Sequence, residues 1–182
     1  MKKFEEKTIS SDFKYKGRVI TLQVDEVLLP NGKTSNREIV KHPGAVAVMA
    51  ITKDKKIILV EQYRKALEQS IIEIPAGKIE PGEPPEATAR RELEEETGYT
   101  SSNLQYVQSF ATSPGFADEI IHLYFAENIE KMTEKADLDE DEFVDLIYVS
   151  IQEMESLIEN KQIYDAKTAF AFLWLKDYLK EA

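Results

Sequence analysis

The sequence contains no cysteine among its 182 residues, so disulfide bonds, thiolate metal ligands and cysteine nucleophiles are excluded together. It also lacks a long apolar run: the longest one, from Ala45 to Ile51, falls far short of the roughly 20 residues that a membrane-spanning helix needs. Charged residues occupy the first positions, Met1-Lys2-Lys3-Phe4-Glu5-Glu6, where a secretory signal would be apolar. We therefore predict a cytoplasmic protein that has no membrane partner.

Positive charge is scarce relative to negative charge. The chain has 23 Lys and Arg residues against 34 Asp and Glu residues, which gives a formal net charge of -11. Sequence-independent binding to DNA or RNA depends on Lys and Arg side chains, so we expect no nucleic-acid partner. A small anionic ligand remains compatible with this balance, because local arginines or a bound metal ion can reverse the field at one site.

The first forty residues predict a small antiparallel β meander. Apolar residues alternate in part between positions 13 and 29, a turn follows at Asn31-Gly32, and residues 37–40 form the returning strand. A sheet of this size is barely stable alone, so it must pack on the rest of the chain or on another chain. We divide the sequence into a meander of residues 1–42 and a main domain of residues 43–182.

The main domain has the pattern of a mixed α/β protein. Strands are predicted over residues 45–51, 57–63, 71–74, 104–110, 120–126 and 144–149, and helices over residues 84–97, 151–159 and 166–179. The last helix carries a broad apolar face that includes Phe170, Leu173, Trp174 and Tyr178. We expect these aromatic residues to belong to the core and not to a ligand platform.

The segment from Ile74 to Tyr99 is the most informative part of the chain. At about 100° per residue, Glu92, Glu95 and Glu96 fall within an arc of about 100° that borders the apolar side of the helix, and Glu94 points away. One interpretation is a solvated acidic face, the usual meaning of a charge run. The other is a site for Mg²⁺, which prefers oxygen ligands and bridges carboxylates to substrate phosphates.

The spacing within this segment resembles a known family motif. Gly77, then Glu83 after five intervening residues, then Arg91-Glu92-Leu93-Glu94-Glu95-Glu96-Thr97-Gly98-Tyr99 after seven more, match the Nudix box without departure. The resemblance implies an α/β/α sandwich around a mixed sheet. It also implies hydrolysis of a nucleoside diphosphate linked to another group, with Mg²⁺ or a similar ion such as Mn²⁺.

The flanking sequence resembles the ADP-ribose pyrophosphatase subgroup of this family. Pro114 matches the characteristic proline some fifteen residues beyond the box, and the segments 37–46, 61–64 and 73–77 also look like the subgroup. This resemblance, which runs from about residue 13 to the C-terminus, implies hydrolysis of ADP-ribose to AMP and ribose 5-phosphate.

Other functions stay open at this stage. They are hydrolysis of another nucleoside diphosphate sugar or of a dinucleotide, and a non-catalytic Nudix-fold module that binds nucleotides. The intact set of Glu92, Glu95 and Glu96 argues against the non-catalytic module. A purely structural Ca²⁺ site is disfavoured because the 12-residue calcium-loop pattern is missing.

The expected metal ligands and catalytic groups follow from the box and from an acidic loop. Glu92 and Glu96, one helical turn apart, are the first metal ligands and Glu95 is the third. The resemblance adds the backbone carbonyl of Ala76 and Glu142 to the metal site, and makes Glu140 the general base. We expect Arg91 to orient the carboxylates by hydrogen bonds and Glu83 to do the same or to relay through water. The register of the loop over residues 137–142 is open by one or two positions.

The expected substrate contacts lie outside the acidic helix. Arg37 and Arg64 are interpreted as clamps on the pyrophosphate, since a guanidinium binds phosphate oxygens in a bidentate way. By resemblance, the positions that contact ribose or phosphate are Glu38, Lys78, Ser113, Gly115 and Glu119, and Arg18 falls where the subgroup meets adenine. The resemblance also implies a homodimer with shared sites, in which each meander crosses to the partner.

Overall fold

A computed structural model describes residues 3–133 and 143–181 of the chain. The chain forms two compact units, one made of the residues up to Gly44 together with Phe110–Ile121, and the other made of Ala45–Ser109 and the residues from His122 onward. Within the described ranges, no helix has both the length and the apolar character that crossing a membrane requires.

The first unit is built on a three-stranded antiparallel sheet. Its strands, in spatial order, are β1 (Lys7–Lys16), β2 (Thr21–Leu28) and β3 (Thr34–Lys41). The turn between β2 and β3 uses Gly32 with a φ of 82°, a conformation that glycine adopts without steric cost, and the Asn31 side chain accepts a hydrogen bond from the Lys33 amide at 3.0 Å. The predicted meander is confirmed.

The strands that follow β3 in the described part of the chain form a seven-stranded sheet and a two-stranded one. The larger sheet consists of β4 (Ala45–Ile51), β5 (Ile57–Arg64), β6 (Gln69–Glu73), β7 (Ala76–Lys78), β9 (Gln105–Ala111), β10 (Ile120–Glu127) and β12 (Val144–Val149), and the smaller one of β8 (Tyr99–Thr100) and β11 (Glu130–Lys131). The order of the larger sheet is β12-β5-β4-β10-β9, with β6 added beside β5 and β7 beside β4. The predicted α/β fold is confirmed.

Helices cover both faces of this sheet. Neighbouring residues of a strand point to opposite faces, and Tyr124 and Phe125 of β10 show where each side packs. Tyr124 belongs to a buried cluster with Ala89 and Leu93 of the first helix, whereas the Phe125 ring lies 5.1 Å from that of Trp174 in the last helix. The core therefore has two halves, one on each side of central strands such as β4, which is buried at every residue after Ala45.

Three helices complete the second unit, namely α1 (Pro85–Thr97), α2 (Ile151–Glu159) and α3 (Ala166–Glu181). Proline suits the first helical position because its missing N–H has no partner there, and α1 ends where Gly98 takes a left-handed φ of 70°. Helix α2 begins with a capping box between Ser150 and Glu153.

One expectation for α3 is wrong. Leu173 was assigned to its apolar face, but 64% of this residue is exposed. The buried stripe runs instead through Ala171, Phe172 and Leu175, because residues three and four apart share a helix face and Leu173 falls outside that spacing. Trp174 stacks on Tyr178 with ring centroids 5.2 Å apart, so these aromatic residues belong to the packing of the unit.

Candidate active site

The backbone of strand β7, which precedes α1 in the chain, contacts acidic side chains of this helix. Strand β7 pairs with β4, and its first residue, Ala76, donates a backbone hydrogen bond to Oε2 of Glu96 at 3.0 Å. Next to it, the Glu92 carboxylate lies so close to Gly77 that a Cβ at position 77 would fall within 3.0 Å of it. Two carboxylates predicted as metal ligands are therefore seated against the backbone at residues 76 and 77.

Arg91 organises the remaining carboxylates. Its Nη1 donates to Oε1 of Glu92 and to Oε2 of Glu95, each at 2.8 Å, and its Nη2 donates to Oε2 of Glu83 at 3.2 Å. Burial alone would lower the pKa of Arg91, but the hydrogen bond to Glu83, the charge of Glu92 and the hydrogen bonds to Glu95 and Glu92 raise it above its ordinary value. These contacts are those expected of a group that orients the carboxylates.

Acidic side chains outnumber basic ones around Arg91. Glu92 and Glu96 are 6% and 3% exposed, whereas Glu95 and Glu83 are half-buried. Three carboxylates, those of Glu83, Glu92 and Glu95, thus contact one guanidinium, and the hydrogen bond from Arg91 lowers the pKa of Glu83 below its ordinary value. Such an excess of buried negative charge favours the binding of a cation at this face of α1.

The donor set suits a hard divalent ion. The side chains offer carboxylate oxygens, the ligands that such ions prefer. The Glu92 carboxylate occupies the space in which any other residue at position 77 would place its Cβ. Among the residues that the structure describes, no three acidic or histidine side chains already form a metal-binding group. The guanidinium of Arg91 lies between Glu92 and Glu95 instead, so binding an ion at all three carboxylates requires a local rearrangement.

Lys78 and Arg64 also belong to the second unit. Lys78 is exposed at the end of β7, and its carbonyl accepts a hydrogen bond from Arg91 at 3.3 Å. Arg64, at the end of β5, binds the buried Glu73 through two hydrogen bonds. Its predicted role as a phosphate clamp stays a prediction.

Sequence reasoning missed the buried pair of Glu73 and Lys167 next to this strand. A weak signal for it was present, because charged residues at the start of an otherwise apolar helix, as in Asp165-Ala166-Lys167-Thr168, need partners when they are buried.

The other predicted substrate contacts lie in the first unit. The Phe110–Ile121 segment runs beside the end of β3, where Val40 donates to the Phe116 carbonyl at 2.8 Å and the Asp118 amide donates to the Val40 carbonyl at 3.1 Å. This pairing places Ser113, Gly115 and Glu119 in the same unit as Arg37, Glu38 and Arg18. Their roles stay predictions.

Two of these side chains have partners within the unit. Arg37 donates to both carboxylate oxygens of Glu6, at 2.8 and 2.6 Å, and Glu119 accepts a hydrogen bond from Thr112. Arg18 and Glu38 are exposed. The predicted base Glu140 and the predicted ligand Glu142 lie outside the described residues.

A cavity of about 540 Å³ lies elsewhere in the second unit, next to Arg90, Thr100 and Tyr178. It is on the side of α1 that carries Glu94, whose carboxylate accepts a hydrogen bond from Thr100 at 2.6 Å. No predicted site residue lines it, so the chemistry argued from the acidic helix does not depend on this cavity.

Comparisons with known proteins agree with this arrangement. Residues 41–171 match the family described as NUDIX domain, and residues 6–40 match the nucleoside diphosphate sugar hydrolase N-terminal domain. The fold is similar to a crystal structure of an ADP compounds hydrolase, with a TM-score of 0.85, 21% identity and coverage of 97% of this chain and 95% of the other. At that identity, the likeness concerns the fold alone.

Two full-length relatives are more similar in sequence. The chain is 61% identical over 181 residues to the methanol dehydrogenase activator of Bacillus methanolicus, which covers 98% of each chain. It is 57% identical over 182 residues to the ADP-ribose pyrophosphatase of Bacillus subtilis (strain 168), which covers 100% of this chain and 97% of the other. Together with the match over residues 41–171, these identities show that the chain belongs to the Nudix family.

Proposed function

We propose that the protein is an ADP-ribose pyrophosphatase that uses Mg²⁺ and produces AMP and ribose 5-phosphate. The observation that carries the proposal is the set of three carboxylates around Arg91, with Glu96 held beside them by the Ala76 amide, at the helix that bears the Nudix box. It is supported by the 57% identity to an ADP-ribose pyrophosphatase over the whole chain. Nudix enzymes of that type are generally dependent on divalent metals, and Mn²⁺ is an alternative to Mg²⁺.

The chain's own groups prepare the site before substrate enters. Arg91 brings Glu92 and Glu95 together and the Ala76 amide binds Glu96, and a local rearrangement of Arg91 would then admit the ion. The ion would be held by Glu92, Glu95, Glu96, the Ala76 carbonyl and Glu142. When bound, it supplies positive charge to the pyrophosphate oxygens and the attacking water.

Hydrolysis also requires a proton acceptor. In this proposal Glu140 takes a proton from the attacking water, whose oxygen forms the new bond to phosphorus while the bridging oxygen leaves with the other phosphate. The resemblance of the acidic loop to the subgroup supports this assignment, with the register over residues 137–142 open. Glu83, bonded to Arg91, is proposed to keep the carboxylate set in place.

Substrate binding is proposed to use two arginines and several polar groups. Arg64 and Arg37 would bind the pyrophosphate oxygens, which carry the charge that a guanidinium fork matches. The ribose and phosphate contacts would come from Glu38, Lys78, Ser113, Gly115 and Glu119, and Arg18 would lie near adenine. For Arg37 this requires exchanging its exposed contact with Glu6 for the substrate, which is inexpensive because exposed ion pairs contribute little.

We also propose that the working unit is a homodimer with shared sites. Strand β1 is exposed along its whole length and carries Ile9, Phe13 and Tyr15 at 55%, 67% and 59% exposure. Large apolar side chains grouped on one strand favour a protein partner, and a two-fold dimer would use this surface twice. The match of residues 6–40 to an N-terminal domain of nucleoside diphosphate sugar hydrolases supports a functional role for the same segment.

A second function is favoured by the other full-length relative. At 61% identity to a methanol dehydrogenase activator, the chain is a candidate activator of an alcohol dehydrogenase. Adding the protein to a methanol dehydrogenase assay tests this candidate. The inactive Glu96→Gln variant, run in parallel, shows whether stimulation requires hydrolysis.

The test of the main proposal is a substrate panel with product identification. The purified chain, with Mg²⁺, is offered ADP-ribose, ADP-glucose, GDP-mannose, NADH and nucleoside triphosphates in separate reactions. We expect the highest kcat/KM for ADP-ribose, with AMP and ribose 5-phosphate in equal amounts. If kcat/KM is higher for GDP-mannose or NADH, that compound and not ADP-ribose is the preferred substrate.

A further inference from the structure

A chain of buried charges joins the start of α3 to Arg64. Lys167 donates a hydrogen bond from Nζ to Oε2 of Glu73 and a second one to Oδ2 of Asp165 at 2.9 Å. Glu73 in turn accepts from Nε of Arg64 at 2.6 Å and from Nη2 of Arg64 at 3.0 Å. Glu73 is 1% exposed and Lys167 is 8% exposed, so solvent screens these interactions little.

Glu73 occupies only one edge of the Arg64 guanidinium. An arginine carries five N–H donors in a planar fork, of which two bind Glu73 here, and the covalent geometry directs the others away from that carboxylate. The Arg64 side chain is 41% exposed, so part of it is open to a ligand while Glu73 holds its Nε edge. The edge that faces away from Glu73 has the geometry to bind two phosphate oxygens, and its direction is set by the plane of the Glu73 carboxylate.

The same helix end holds the backbone that leads to the acidic site. Thr168 accepts a hydrogen bond on Oγ1 from the Ile74 amide at 3.0 Å, and Asp165 caps the helix by accepting from the Thr168 amide at 3.2 Å. The first turn of α3 therefore contacts residues 73 and 74, directly ahead of Ala76. Both contacts are buried or half-buried, which restricts the movement of this strand end.

We propose that Lys167 is a positioning residue for Arg64. By binding Oε2 of Glu73 it fixes the orientation of that carboxylate, and through it the direction of the phosphate-binding edge of Arg64. This inference rests on the proposed function, in which Arg64 binds the pyrophosphate. Lys167 touches no reacting atom, and its effect passes through Glu73.

Loss of Lys167 leaves the buried Glu73 and the half-buried Asp165 with fewer partners. Glu73 keeps its hydrogen bonds from Arg64, and Asp165 loses the cation on Oδ2 while its Oδ1 is already buried without a partner among the described residues. We expect Glu73 to turn towards Arg64 and the guanidinium to lose its fixed direction. A weaker phosphate clamp acts equally on bound substrate and transition state, so it raises KM and leaves kcat nearly unchanged.

The experiment is a double-mutant cycle on the full-length enzyme. We expect Lys167→Met to raise KM about tenfold, the loss expected when one charge-assisted hydrogen bond is weakened. Lys167→Arg, which keeps the charge, should recover most of it. In an Arg64→Met background, Lys167→Met should raise KM no further, because its effect passes through Arg64. The control is Lys176→Met on the same helix, which removes a half-exposed ion pair with Glu155 and should leave KM unchanged.

The outcomes separate this inference from its alternatives. An unchanged KM in Lys167→Met, or a KM effect that adds in full to that of Arg64→Met, overturns the positioning role. If Lys167→Met does not fold, Asp165→Asn/Lys167→Met replaces it, because Asn still caps the helix and one charge of each sign is removed. Failure of the proposed function is visible in the wild type, which would not hydrolyse ADP-ribose. The cycle is then measured with whichever nucleoside diphosphate derivative the wild type hydrolyses.

Discussion

The Glu92 carboxylate fills the space that a side chain at position 77 would need. A Cβ on Gly77 would fall within 3.0 Å of the carboxylate carbon and of both its oxygens, a separation that real Cβ atoms do not reach. The φ angle of Gly77 is outside the left-handed region, so glycine is required there for space and not for backbone conformation. This explains why a small residue precedes the acidic helix at this distance.

Gly77→Ala should therefore damage metal binding while the fold survives. The added methyl group meets the end of a flexible side chain, so Glu92 can swing away without moving the backbone. We expect the Mg²⁺ concentration for half-maximal activity to rise about tenfold to a hundredfold, the range seen when ligand orientation is lost. Magnesium titration of the hydrolysis rate, with thermal unfolding as the check on folding, measures this. An unchanged magnesium requirement would contradict the account.

Arg91→Met should make stability depend on Mg²⁺. Without the guanidinium, Glu83, Glu92 and Glu95 lose their shared counter-charge, and we expect a loss of about 1–3 kcal/mol in the free energy of unfolding. A divalent cation should restore part of this loss because it can take over the same carboxylates. Urea unfolding with and without Mg²⁺ measures both effects.

The matched control for Arg91 is its neighbour. Arg90 hydrogen-bonds the Ser101 carbonyl and pairs with Glu86, so Arg90→Met leaves the acidic face intact. Its stability should respond to Mg²⁺ as the wild type does. If Arg91→Met behaves in the same way as this control, Arg91 does not organise the carboxylates.

The capping box of α2 predicts that the free energy of unfolding depends on pH. The hydrogen bond from the Ser150 backbone, the side-chain hydrogen bond to Ser150 and the contact with Lys56 lower the pKa of Glu153 from 4.5 to about 2. Since the pKa is lower in the folded state, its stabilising contribution is complete above about pH 4.5 and is lost as the pH falls towards 2. The free energies of unfolding of the wild type and Glu153→Ala should differ most at pH 6, differ less at pH 3 and converge as the pH falls to about 2. A difference that stays constant over this range would contradict the assignment.

The proposed dimer predicts the mass of the protein in solution, and a substitution on β1 should reduce that mass to that of a monomer. The chain has a mass of 20.8 kDa, so light scattering at micromolar concentration should give about twice that value. Phe13→Glu places a charge on the exposed face of β1 and should yield monomers with weaker ADP-ribose binding. Tyr164→Glu, at an exposed aromatic residue of the second unit, serves as the control and should remain dimeric. A fully active monomeric wild type would rule out shared sites.

The sequence predicted most of the fold because burial leaves a periodic pattern. Strand β4 is buried at every residue after Ala45 and is an apolar run in the sequence, and α1 is bounded by prolines and Gly98. Strand β1 begins at Lys7, earlier than predicted, because all of its residues are exposed and no alternation marks it. Strands of two or three residues, such as β7 at Ala76–Lys78, are too short to carry any pattern and were missed.

The candidate site was predictable to the extent that it is local in sequence. Helical spacing alone placed Glu92, Glu95 and Glu96 on one face, and Arg91 contacts two of them from an adjacent turn. The partner of Glu73 could not be predicted, because Lys167 is distant in the chain and only the packing of α3 brings it near. The close contact between Gly77 and the Glu92 carboxylate could not be predicted either, because it depends on how near β7 lies to α1.

The central claim, that the acidic face of α1 carries the hydrolysis, is tested most directly by comparing two substitutions on that helix. Glu96→Gln removes a charge but keeps an oxygen that can accept the hydrogen bond from Ala76, whereas Glu94→Gln changes a carboxylate bonded to Thr100 on the other side. With ADP-ribose and saturating Mg²⁺, we expect kcat/KM to fall by about a thousandfold or more for Glu96→Gln, since a metal ligand stabilises the transition state by several kcal/mol. For Glu94→Gln we expect a change of less than about threefold, as for a surface contact outside the site. Near-normal activity of a folded Glu96→Gln protein, or an equal loss in both variants, would contradict the account.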